Sequence, residues 1–302
     1  MQLPDSVTIV EVGARDGLQN EAKIATRDKV TLINQLSQTG LTHIEAGAFV
    51  SPKWVPQMAD SDAVLTQISR QTGVIYSALT PNLKGLDLAL HAKADQVAVF
   101  ASASEGFSQK NLNCSIAQSL ERFAPVIEKT KQSNIKVRGY LSCVAECPYD
   151  GFTTPKQVAT VAKHLFDMGC YEISLGDTIG TGTPLRIAKM IEAVSNEVPA
   201  SHLAVHFHDT WGQALPNIYQ ALQMGIRVID SSVSGLGGCP YARGSAGNVA
   251  TEDVLYLCRG LGINTGIDMD KVIEAGRFIN QKLKRKPTSK VALAYTSHTR
   301  HN

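Results

Sequence analysis

A (β/α)8 TIM barrel with extra helices at its C-terminal end is the fold this sequence predicts, on three observations. Eight short runs rich in β-branched residues recur along the chain, at 7–12, 43–49, 74–78, 96–100, 135–141, 172–175, 203–207 and 228–233. Longer stretches of helical periodicity lie between them, and crossover helices are what connect parallel strands over such distances. No Gly-x-Gly-x-x-Gly opens the first helix and no Walker A sequence is present, so a dinucleotide- or phosphate-binding sheet has no support.

The helical stretches follow from spacing and from their stops. Residues 26–37 place Val30, Ile33, Leu36 and, just beyond, Leu41 near one helical face, and 116–131, 154–168, 184–194 and 213–224 behave alike. Thr39-Gly40, Met168-Gly169 and Met224-Gly225 each put a glycine where a helix would stop. From about residue 265 the chain is expected to add helices outside the barrel. No linker or composition shift divides it, so residues 1–302 are read as one domain. A chain of 302 residues can bury roughly 75% of its unfolded surface, enough for one large core.

Composition narrows the function classes. The chain is 43% hydrophobic and 19% charged, with a net charge of +2. Those values exclude a disordered chain and give no basis for a nucleic-acid partner. The run Lys282-Leu283-Lys284-Arg285-Lys286 reads as a solvated helix end rather than a phosphate-binding patch. No apolar stretch approaches the ~20 residues needed to span a membrane. Six scattered cysteines form no disulfide framework, and Cys143 and Cys147 lack the second pair of a structural zinc site. With no signal peptide and no room for a presequence before the first strand, the expected compartment is the cytoplasm.

In a barrel of this kind catalytic groups gather at the C-terminal ends of the strands. His206-Phe207-His208-Asp209 ends the seventh run. Residues two apart on a strand share a face with Cα atoms ~6.6 Å apart, so both imidazoles can meet one ion, although two core histidines satisfied by neighbours would share that spacing. Arg15 and Asp16, in Gly13-Ala14-Arg15-Asp16-Gly17, stand at the end of the first run, as a site pair or as a local ion pair capping a loop. Glu45 lies inside the second run, where a carboxylate needs a partner, and Arg15 on the adjacent strand is the natural one. Asp177 closes the sixth run as an outer support to the site, a proton acceptor or a helix cap. After the eighth comes a glycine-rich loop, residues 235–248, in which Cys239 is placed for access and Asn248 can offer an amide oxygen to a metal.

At this point the sequence resembles the 3-hydroxy-3-methylglutaryl-CoA (HMG-CoA) lyase family over almost its whole length. The resemblance is carried by Val10-Glu11-Val12-Gly13-Ala14-Arg15-Asp16-Gly17-Leu18-Gln19-Asn20-Glu21 and by Phe49-Val50-Ser51-Pro52-Lys53-Trp54-Val55-Pro56-Gln57-Met58. Leu175-Gly176-Asp177-Thr178-Ile179-Gly180, the His-x-His-Asp segment and the Gly-Gly-Cys-Pro-Tyr-Ala loop complete it. Metal-dependent synthases share the Arg-Asp and His-x-His elements and differ in the last loop. The resemblance implies that Asp16, His206, His208 and Asn248 bind a divalent metal, that Arg15 contacts the substrate's thioester carbonyl, and that Cys239 acts in proton transfer. Phe207 and Pro216 depart from the family's usual residues without touching a predicted ligand.

The donor set of two imidazoles, a carboxylate and an amide suits Mg²⁺ or Mn²⁺. The expected reaction is cleavage of HMG-CoA to acetyl-CoA and acetoacetate, with Glu45 holding Arg15, and with Asp177 and His206 as the candidates to take the hydroxyl proton. A longer branched 3-hydroxyglutaryl-CoA is the alternative substrate, and a non-catalytic metal- or CoA-binding barrel the alternative of another class. The acyl-CoA partner, a homodimer and a place in leucine degradation or ketone-body formation come from the resemblance alone.

Overall fold

The computed structural model describes residues 3–238 and 247–298. Its strands are β1 (Thr8–Glu11), β2 (His43–Ala48), β3 (Ile75–Leu79), β4 (Gln96–Ser102), β5 (Lys136–Ser142), β6 (Glu146–Cys147), β7 (Gly151–Phe152), β8 (Glu172–Asp177), β9 (Leu203–Phe207) and β10 (Val228–Ser231). Its helices are α1 (Thr26–Leu36), α2 (Ser61–Gln67), α3 (Leu83–His91), α4 (Glu105–Leu112), α5 (Ile116–Gln132), α6 (Pro155–Met168), α7 (Pro184–Ser195), α8 (Ala214–Gln223), α9 (Thr251–Gly260), α10 (Met269–Leu283) and α11 (Lys290–His298). Eight strands close into a barrel in the order β1-β10-β9-β8-β5-β4-β3-β2. Every pairing in it is parallel, including the β1–β10 seam. The short β6–β7 pair is an antiparallel hairpin standing apart from the barrel.

All eight predicted runs become the barrel strands, with ends shifted by at most two residues. The helices begin and stop for local reasons. Ser115 with Gln118, and Thr154 with Gln157, form capping boxes at the starts of α5 and α6. Gly169 ends α6 at φ 112°, a left-handed conformation that carries no side-chain penalty in glycine. Pro216 sits in the first turn of α8, where its missing N–H has no helical partner to lose.

Alternation along the strands sets the two sides of the wall. Ile44, Val137, Ile173, Val205 and Ile229 face outward and are buried under the helices. Their neighbours Glu45, Arg138, Ser174, His206 and Asp230 face inward and are joined by hydrogen bonds across the lumen. The interior is therefore polar beneath the C-terminal mouth. Beyond α9, α10 packs against α1 and α9, and α11 packs against α9. The basic run at the end of α10 is more than a solvated end: Arg285 pairs with Glu21 and reaches the Gly235 carbonyl at 3.3 Å, while Lys282 meets Asp28 at 3.0 Å.

Candidate active site and metal centre

The site is assembled from the ends of β1, β2, β9 and β10. After β1 the chain makes a single π-helical turn, Gly13–Gly17, closed by the Gly17 N–H donating to the Val12 carbonyl at 3.1 Å. The turn needs its glycine: a Cβ on Gly17 would lie 2.6 Å from Ser232 Oγ and 2.7 Å from Leu236 Cβ. Below it, the Glu11 carboxylate accepts the Gly13 and Val233 N–H groups, each at 2.8 Å, and the Thr251 hydroxyl at 2.6 Å. One buried acid thus ties the β1 turn to the segment after β10.

That turn delivers Arg15 and Asp16 to the barrel mouth. Arg15 donates through Nε and Nη2 to Glu45 Oε2, both at 2.7 Å, and through Nη1 to Asp16 Oδ1 at 2.7 Å. Its guanidinium lies 5.4 Å from the centre of the Tyr140 ring, and the Tyr140 hydroxyl reaches Glu45 Oε2 at 3.3 Å. Glu45 and Arg15 are therefore partners, as their strand positions predict. Burial opposes charge on both Arg15 and Asp16, yet attraction prevails: Glu45, and after it Asp16, hold Arg15 far above its ordinary range, and Arg15 holds Asp16 well below its own.

His206 and His208 project from the end of β9 onto the same side, with ring centres 5.4 Å apart. Asp16, His206 and His208 each bring one ligand atom to within 4.8 Å of the other two. His206 Nε2 stands 3.9 Å from Asp16 Oδ2. Burial, reinforced by nearby His206, lowers His208 to about 4, so its imidazole is neutral and free to ligate at pH 7. The His208 ring is buried and has a backbone hydrogen bond to Thr178. One carboxylate and two imidazoles with atoms this close fit a divalent cation.

Asn248 joins the cluster with its amide nitrogen, which donates to Asp16 Oδ2 at 2.8 Å and to the Leu236 carbonyl at 3.2 Å. For the amide oxygen to serve as a ligand, as predicted, the group must turn about its terminal bond. Room there is set by Gly237, at φ +96°, where a Cβ would lie 2.9 Å from Asn248 Nδ2. Cys239 lies outside the described residues. The chain on either side of it is anchored beside His208: the Gly247 N–H donates to the Gly237 carbonyl at 2.9 Å, and the Asp209 N–H to the Gly247 carbonyl at 2.7 Å.

Asp177 is not brought to the cluster. It faces the opposite side of β8 from Ser174, accepting the Gly182 N–H at 2.8 Å and, among its backbone donors, those of Thr181 and Gly180. Burial raises it to about 6. Of its three predicted roles, the hydrogen bonds match that of a cap, here for the turn leading into α7. Asp209 likewise caps α8, accepting the Ala214 N–H at 3.1 Å.

Sequence reasoning missed Asp230, Arg138, Tyr140, Glu172 and Ser174. Asp230 accepts both Arg138 Nη groups, at 2.7 and 2.9 Å, and meets His206 Nδ1 at 3.2 Å. The available signal was a charged residue inside an apolar strand, the one that singled out Glu45; Asp230 and Arg138 carry it equally.

The chain as a whole is similar to known proteins. A family model described as HMGL-like matches residues 6–279. A Pseudomonas aeruginosa protein named 3-hydroxy-3-isohexenylglutaryl-CoA/hydroxy-methylglutaryl-CoA lyase is 58% identical over 97% of this chain and 98% of its own length. The cytoplasmic 3-hydroxy-3-methylglutaryl-CoA lyase of Danio rerio is 59% identical over 100% of this chain and 89% of its own. The crystal structure of hydroxymethylglutaryl-CoA lyase from Pseudomonas aeruginosa superposes with a TM-score of 0.97 at 57% identity, covering 99% of this chain and 100% of that one. An Acinetobacter baumannii HMG-CoA lyase solved with coenzyme A and 3-methylmalate gives a TM-score of 0.91 at 36% identity, over 96% of this chain and 95% of that one.

Proposed function

The chain belongs to the HMGL-like family, and from that membership we propose that it is a carbon–carbon lyase cleaving HMG-CoA to acetyl-CoA and acetoacetate. The observation that carries the reading is 58–59% identity to lyases of that name over nearly the whole chain. The Asp16–His206–His208 cluster beside Arg15 supplies a place for the chemistry.

A divalent ion held by Asp16, His206 and His208, with Asn248 turned to offer its oxygen, would act as a Lewis acid on the tertiary hydroxyl. We take the ion to be Mg²⁺ or Mn²⁺. Loss of the hydroxyl proton makes the C3 ketone as the C2–C3 bond breaks, and its electron pair moves into the thioester enolate. Arg15 donates to the oxygen on which that charge develops, the most productive place for a fixed donor. Glu45 keeps the guanidinium aimed, and Cys239 delivers the proton that turns the enolate into acetyl-CoA.

A purified, metal-supplemented protein that forms no acetoacetate from HMG-CoA would sink this reading. The Pseudomonas aeruginosa relative, named for an isohexenyl substrate as well, favours a second one in which the acyl branch is longer. Turnover measured on both thioesters separates the two.

We further place the protein in the cytoplasm as a homodimer and single domain, serving leucine degradation or ketone-body formation. The Danio rerio relative supports that compartment, although other animal relatives are named mitochondrial. Among the described residues no helix is long and apolar enough to cross a membrane. Light scattering on the purified protein tests the dimer.

A further inference from the structure

We infer that Asp230 is the positioning residue that fixes the ring and tautomer of His206, with Arg138 and Ser174 holding Asp230 in place. The inference rests on the reading of His206 as a metal ligand. Asp230 and His206 are directly paired across β10 and β9. Asp230 Oδ2 lies 3.2 Å from His206 Nδ1, and its side chain is fully buried. A carboxylate accepts there and Nδ1 donates, so the lone pair of the neutral ring falls on Nε2. Nε2 is the atom 3.9 Å from Asp16 Oδ2. One ring thus turns its donor to the barrel wall and its acceptor to the cation cluster.

The carboxylate is itself braced. Arg138 grips both of its oxygens, and the Ser174 hydroxyl donates to Oδ2 at 2.8 Å. The remaining direction of the guanidinium is taken by Glu172 Oε1, 2.7 Å from Nε, while Nη1 also reaches the Tyr140 hydroxyl at 3.1 Å. Four of the five Arg138 N–H groups are therefore engaged by side chains of the barrel, and the residue is buried. Its single positive charge faces two carboxylates, leaving one net negative charge behind His206. Such a carboxylate behind an imidazole raises its basicity toward a metal. Among the described residues no carboxylate stands behind Nδ1 of His208, whose ring has a backbone hydrogen bond to Thr178 instead, so the two imidazoles differ in how they are held.

The test uses the metal-free protein and Mn²⁺ alone. Nitrogen-15 spectra of histidine-labelled protein, recorded at alkaline pH where the ring is neutral and with the His206 signal identified by its loss in His206→Gln, should show the remaining proton on Nδ1. Asp230→Asn should bind Mn²⁺ about 10- to 100-fold more weakly with an unchanged far-ultraviolet circular dichroism spectrum. Ser174→Ala, which keeps both charges, should weaken binding less and covers the case in which Asp230→Asn does not fold. A wild-type proton on Nε2, or a folded Asp230→Asn that binds Mn²⁺ as tightly as wild type, overturns the inference. Wild-type protein that binds no Mn²⁺ overturns it together with the metal reading. The expected Mn²⁺ series in a protein that leaves HMG-CoA intact would support this inference while removing the proposed reaction.

Discussion

Glu45 Oε2 receives both Nε and Nη2 of Arg15 at 2.7 Å, so the guanidinium that faces the barrel mouth is aimed by a carboxylate buried in the wall. Glu45 is fully buried, and deleting it leaves an arginine with half its countercharge. Glu45→Ala is expected to lower the unfolding free energy by about 3–5 kcal/mol, measured by urea denaturation. It should also reduce kcat by about 10²-fold, because a donor displaced by an ångström loses that much.

Arg15→Lys keeps the charge and loses the planar fork. An ammonium cannot bond Glu45, Asp16 and a developing oxyanion in the same geometry. Steady-state assays should show kcat reduced by about 10²–10³-fold, with Mn²⁺ affinity changed far less.

Removing the metal should abolish turnover and lower stability together. Dialysis against a chelator is expected to eliminate acetoacetate formation, and Mg²⁺ or Mn²⁺ should restore it. At a hundredfold excess over Kd the ion adds about 2.7 kcal/mol to the folded state, which a thermal melt will register as a higher Tm.

Cys239→Ala removes the proposed proton donor and none of the proposed metal ligands. The expected result is undiminished Mn²⁺ binding with turnover reduced by about 10²–10⁴-fold. Full activity in this variant would reject the thiol's role.

Glu252 makes stability depend on pH. Burial lifts its carboxyl from 4.5 to about 8, and its oxygens accept the Ser234 N–H at 2.9 and 3.0 Å. Between those values the unfolded chain has lost this proton and the folded one keeps it, so the folded state binds more protons. The contribution is complete below about pH 4.5 and disappears as pH rises through about 8. Wild-type Tm is expected to fall from pH 6 to pH 9, and Glu252→Gln should flatten the slope.

The barrel was legible because alternation and helical periodicity are local: each strand and each helix stop can be read within a dozen residues. The same holds for His206 and His208, whose shared face follows from a spacing of two, and for Arg15 and Asp16, adjacent at a strand end. The Glu45–Arg15 pair was legible from the cost of an unpaired carboxylate in an apolar strand. What the chain order alone could not decide was which distant groups meet. Asp230 and Arg138 are 92 positions apart and touch only because barrel closure turns both into one lumen, from β10 and β5, which lie three strands apart. Asp177 ends its strand as suggestively as His206 does, yet parity turns it outward beneath the turn before α7. Sequence thus determined the barrel, the residue types that meet at the Asp16–His206–His208 cluster and the family. Tertiary structure decided how His206 is braced and that Asp177 stays out, because burial makes each charge depend on partners that only barrel closure supplies.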